Sequence, residues 1–136
     1  MRDLYIAKIA SLKRCLKRVA EEFVPKPAFL DSQSRQDAAI LNIQRACEVS
    51  IDIANIIIKH NKLGLPSSAR DSFDLLERSS IIDRECAERM KRMVGFRNIA
   101  IHEYQNLNLD VVVAVIENHL SHFERFAELT NKVVPR

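Results

Sequence analysis

The sequence predicts an all-α protein, an antiparallel helical bundle of about five helices, four long and one short. Three observations lead there. Apolar residues recur at helical spacing through most of the length. Breakers are scarce: 136 residues hold two glycines and four prolines, which suits long helices better than a turn-rich β fold. No repeat, low-complexity tract or linker divides the chain, so residues 1–136 form one domain, a size that buries roughly two-thirds of its unfolded surface.

The first helix spans 3–23. Ile6, Ile9, Leu12, Leu16, Val19 and Phe23 form its stripe, Asp3 is its expected N-cap, and Pro25 and Pro27 end it. Residues 25–34 form a connection in which Phe29 and Leu30 tuck against the bundle. The second helix, 34–62, buries Ile40, Ile43, Cys47, Ala54, Ile57 and Ile58. Ile51, Ile53 and Ile56 widen that stripe almost all round, as in a central helix or one with a face against a second subunit. Gly64 is its expected C-cap. A short third helix, 70–79, turns Phe73, Leu75 and Leu76 inward. Asp83 caps the fourth, 84–102, and Asn108 caps the fifth, 109–132, whose stripe uses Val112, Val115, Ile116, His119, Leu120, Phe123 and Phe126.

Composition narrows the function classes. Apolar residues make up 47% and charged residues 29%, a globular balance. The net charge of +3 neither demands nor opposes a nucleic-acid partner. Basic residues cluster on the first helix (Lys8, Lys13, Arg14, Lys17, Arg18) and on the fourth (Arg84, Arg89, Lys91, Arg92, Arg97); a solvated helix face would also account for them. Cys15, Cys47 and Cys86 stand far apart without a CxxC pair, which argues for free buried thiols in a reducing, cytoplasmic setting. No apolar run near 18 residues and no signal-peptide pattern is present, so no membrane partner is expected.

The stretch from Gly95 to Tyr104 carries the chemistry. It gathers Arg97, Asn98, His102 and Tyr104 at the end of a helix. At about 100° per residue, Ala87, Met90, Met93, Val94 and Ile101 face the core. Arg84, Lys91, Gly95, Asn98 and His102 share a polar, basic stripe. A mid-helix glycine costs about 1 kcal/mol relative to alanine; close approach of a backbone or ligand is one reason to keep it. Arg97 and His102 point about 140° apart on an ideal helix. They converge by Arg reach, by fraying of the helix end, or across a two-fold axis that brings both copies into one cleft.

Arginine and histidine are the two side chains needed to cut RNA without a metal: one holds fixed positive charge, and the other as a residue type exchanges protons near neutral pH. A pair of His102 residues could divide the roles of base and acid, each worth about 10²–10⁴-fold. Arg97 would stabilise the charge on the pentavalent phosphorus, and Asn98 would orient the ring or hold a phosphate oxygen. Structural roles compete with this. Arg97 could pair with a carboxylate, His102 could be a cation at the helix C-terminus, and Tyr104 could be a packing residue. His119 and His122, at i and i+3, have metal-ligand spacing, but no third ligand stands nearby and no Glu-x-x-His pair exists, so no metal or other cofactor is expected.

Residues 93–104, Met-Val-Gly-Phe-Arg-Asn-Ile-Ala-Ile-His-Glu-Tyr, strongly resemble the signature of HEPN-domain toxins, in particular the HepT branch with its Arg-x4-His-x-Tyr motif. Ile51-Asp52-Ile53-Ala54-Asn55, Ile81-Ile82-Asp83 and Ile116-Glu117-Asn118-His119-Leu120 match as well, so the resemblance covers nearly the whole chain. It implies a HEPN-like homodimer acting as a metal-independent endoribonuclease on mRNA or tRNA, with Arg97 and His102 catalytic and Asn98 in support. It also implies a cognate MNT-type nucleotidyltransferase antitoxin that transfers AMP to Tyr104, where a bulky anionic group two residues from His102 would block the cleft. RNA would run along Arg84, Lys91 and Gly95; no DNA partner is expected. The same fold could instead serve as a non-catalytic nucleotide- or substrate-binding subunit of a nucleotidyltransferase, with Arg97 clamping a phosphate, or as a plain oligomerisation module.

Overall fold

The computed structural model describes residues 1–135; Arg136, which ends the single-domain reading, lies outside the described residues. Four of the five sequence-predicted helices are present as single helices. Helix α1 spans Arg2–Phe23, α3 Gln33–His60, α4 Ala69–Arg78 and α5 Arg84–His102. The predicted last helix is divided into α6, Leu109–Asn118, and α7, Ser121–Asn131. A short helix, α2, spans Lys26–Leu30 in the expected connection, and a single 3-10 turn, Tyr104–Asn106, follows α5. No strand occurs among the described residues.

Side-chain caps explain most of the boundaries. Ser32 accepts from the Arg35 amide at 3.2 Å, Ser68 from Asp71 at 3.0 Å, Asp83 from Cys86 at 2.7 Å and Asn108 from Asp110 at 2.7 Å. Each satisfies one of the amides a helix start leaves free. Helix α1 has no such cap: it begins after Met1, and Asp3 lies in its first turn rather than capping it. Helix α3 is capped by Asn61, three residues before the expected Gly64. Gly64 instead takes φ 118° in the link to α4, a backbone region that glycine occupies without steric cost.

Helix α3 is the central element and packs against α1, α2, α4 and α5. Ile43, Ala46, Ile53, Ala54 and Ile57 on it are fully buried, each large side chain contributing about 1.5–3 kcal/mol. The pairs Lys8–Asp52 and Arg35 to the Glu22 carbonyl show that α1 runs antiparallel to α3. Arg97–Glu48 and Tyr104–Asp37 show the same for α5. Lys91–Asp74 ties α5 to α4, and Arg89–His122 with Arg125–Asp83 ties it to α7.

Three expected core positions differ. Ile6 is 48% exposed and Tyr5 is buried instead, because the Tyr5 hydroxyl reaches Thr130 Oγ1 at 2.9 Å on α7. Leu30, at the end of α2, is 44% exposed while Phe29 is fully buried. Ile101 is 41% exposed, in the last turn of α5.

Candidate functional site

The segment 93–104 is one structural unit. Asp83 starts α5, the helix continues unbroken through His102, and Glu103 caps it by donating its amide to the Ile99 carbonyl at 2.8 Å. The chain then turns at once into the 3-10 turn that carries Tyr104. Met93, Val94, Phe96 and Ala100 are buried and anchor the helix. Asn98, His102 and Tyr104 are exposed around its free end.

Arg97 points the other way, toward α3. Its Nε lies 3.4 Å from Glu48 Oε1, near enough for attraction but without a hydrogen bond, and that buried Nε has no hydrogen-bond partner among the described residues. Beside it, burial pushes the Cys47 thiol up to about 12 against the opposing charge of Arg97. The helix does not fray before His102. No hydrogen bond or ion pair joins Arg97 to His102 among the described residues. Within the chain the two residues therefore occupy different faces of α5, as the helical angle predicts.

Tyr104 reaches back to α3, its phenol donating to Asp37 Oδ1, which also accepts from Gln33 Nε2 at 2.7 Å. Desolvation, then the hydrogen bond and charge of Asp37, push the phenol up to about 12. The same hydrogen bonds hold the Asp37 carboxyl below its ordinary value. Nothing in the sequence pattern pointed to Asp37; only the antiparallel pairing of α3 and α5 brings it to the motif.

The polar stripe is not uniform. Lys91 Nζ is held by Asp74 at 2.8 Å and Glu88 at 3.0 Å, so its charge is already neutralised. Arg84 is exposed at the far end of the helix, about 27 Å from His102 at 1.5 Å per residue. Gly95 and Asn98 border a cavity between α4, α5 and the α6–α7 junction. A Cβ on Gly95 would stand 3.1 Å from a guanidinium nitrogen of Arg70, so the glycine admits a close neighbour. His119 Nδ1 and His122 Nε2 are 2.9 Å apart, and no group of three or more His, Cys, Asp or Glu side chains among the described residues could hold a metal ion.

Residues 8–130 match the family model described as ribonuclease HepT-like. The chain is 47% identical to the mRNA nuclease HepT of Shewanella oneidensis, over 95% of this chain and 97% of that one. It superposes with a TM-score of 0.93 and 46% identity on the tri-AMPylated Shewanella oneidensis HEPN toxin in complex with MNT antitoxin, covering 97% of this chain and 99% of the other. At 15% identity, the Bacillus subtilis cytosolic protein YutE shares the fold, with a TM-score of 0.78 over 93% of this chain and 87% of its own.

Proposed function

The chain belongs to the ribonuclease HepT-like family, and from that premise we propose that it is the toxin of a toxin–antitoxin pair, a metal-independent endoribonuclease that cuts mRNA. Two protomers related by a two-fold axis bring their α5 ends together. The opposed directions of Arg97 and His102 in one protomer support this arrangement, because a second copy supplies the missing half of each site. The 2′-hydroxyl of the RNA attacks the adjacent phosphorus, and His102 takes its proton. His102 of the partner subunit protonates the departing 5′-oxygen as the phosphorus–oxygen bond breaks, leaving a 2′,3′-cyclic phosphate. Arg97 offsets the negative charge on the pentavalent phosphorus, and Asn98 positions a phosphate oxygen or the ring. Arg84 and Gly95 border the RNA path; Lys91 borders it without adding net charge.

A cognate nucleotidyltransferase antitoxin silences the enzyme by transferring AMP from ATP to Tyr104, the phenol oxygen bonding the α-phosphorus as pyrophosphate leaves; the exposed position of Tyr104 just beyond His102 is open to a partner's active site. The three free, buried cysteines support a cytoplasmic setting. Among the described residues no helix is long and apolar enough to cross a membrane.

The observation that carries the reading is the exposed His102 at the end of an unbroken α5, inside a family match that spans nearly the whole chain. The test is incubation of purified protein with RNA in chelator. Cleavage is expected to persist in chelator and to fall at least about 100-fold in His102→Ala with unchanged circular dichroism. Undiminished cleavage by that variant overturns the assignment.

A further inference from the structure

The cavity beside Gly95 and Asn98 has a volume of about 650 Å³. Its lining is chemically lopsided. Arg70 of α4, Arg89 and Arg92 of α5, and His119 and His122 of the α6–α7 junction supply its polar wall, and no aspartate or glutamate lines it. Arg89 is satisfied by Glu85 and lies 3.3 Å from His122 Nδ1. Arg70 and Arg92 have no hydrogen-bond or carboxylate partner among the described residues. Phe96, Ile99, Val111 and Val115 supply the cavity's apolar surface. Burial, followed by the positive charge of Arg89, His119 and Arg92, holds the His122 ring below its ordinary value, as expected where positive charge is concentrated.

We infer that this cavity is a subsite for single-stranded RNA, taking the nucleotide next to the one that is cut. The inference rests on the ribonuclease reading above. Arg70 and Arg92 engage backbone phosphate, while the base lies on the apolar surface, as unpaired bases do at sequence-tolerant sites. Gly95 lets the Arg70 guanidinium lie over the α5 backbone at the cavity mouth. Asn98 lines the cavity and His102 stands one helical turn beyond it, so a nucleotide in the cavity neighbours the linkage at His102. Arginine and histidine without an acid suit phosphate at the rim, and the apolar remainder of the lining, which is most of it, suits a stacked base.

The test uses the full chain carrying His102→Ala, a short labelled single-stranded oligoribonucleotide, and fluorescence anisotropy across a salt series. Adding Arg70→Gln and Arg92→Gln together is expected to weaken binding about tenfold and to lower the slope of log K against log salt by about 1.4, two phosphates at about 0.7 each. With His102 intact, the same two changes should raise KM several-fold more than they lower kcat. An unchanged salt slope overturns the subsite. So does a change in oligomeric state by light scattering, which would make the cavity a subunit contact. If the slope falls as expected but the unaltered chain cleaves no RNA, the ribonuclease reading fails and the RNA subsite stands.

Discussion

Tyr104 donates its phenolic hydrogen bond to Asp37, 67 residues earlier in the chain. One bond thus fastens the turn after α5 to the N-terminal part of α3. It holds the proposed AMP acceptor neutral and oriented at the edge of the bundle. Attack on an α-phosphate requires that proton to leave and this hydrogen bond to break.

Asp37→Asn removes a negative charge and an acceptor from beside the phenol. Tyr104 should then ionise at lower pH, moving from about 12 toward the ordinary tyrosine value. NMR of ring-labelled tyrosine reads the two tyrosines separately. The sign for stability follows from the raised value. The folded chain holds this proton more tightly than the unfolded chain, so the contribution is full below pH of about 10 and is lost as pH rises toward about 12. Urea melts across that window should show a smaller loss in Asp37→Asn.

Arg97 tests charge against geometry. Arg97→Ala should reduce cleavage at least about 100-fold, and Arg97→Lys should recover little of it, because a point charge does not replace a planar fork. Glu48 is 46% exposed and stays solvated without its partner, while the Arg97 side chain is 18% exposed, so the stability cost should be about 1–2 kcal/mol, mostly lost packing of its stem. Equal losses of activity and of thermal stability in the lysine variant would make Arg97 a structural residue.

Gly95→Ala should raise helix stability by up to about 1 kcal/mol, since the nearest obstacle is the far end of the Arg70 side chain. The same methyl makes that guanidinium give by a few tenths of an ångström at the cavity mouth. Thermal melts should therefore move up, with at most a small rise in KM for RNA.

Tyr5→Phe is the contrasting case. It deletes a buried bond to Thr130 at 2.9 Å, remote from the motif, and should cost about 1–1.5 kcal/mol by denaturant unfolding while leaving the RNA cleavage rate of the folded enzyme unchanged.

What the sequence announced and what it concealed follow from where the physical signal sits. Helix α5 runs between its predicted limits, 84 and 102, because Asp83 is a strong capping residue followed by a periodic apolar pattern. The division of the last helix left no such mark. His119 and Leu120 break it without a proline or glycine, and the turn is held by the His122 and Phe123 amides bonding the His119 and Leu120 carbonyls. Helix α2 hid behind Pro25 and Pro27, which read as breakers yet suit the first turn of a helix. The motif itself was visible as a contiguous run. Its surroundings were not: Asp37 and Glu48 come from α3 and Arg70 from α4, and they meet the motif only through tertiary pairing.

The 3-10 turn bearing Tyr104 holds no buried residue, and the Tyr104 phenol is held from outside the core by Asp37. A group attached there has room to be carried without disturbing any core residue. Silencing by such a route would store the toxin rather than spoil it, so a cell that strips the adduct regains working enzyme with no need for new synthesis.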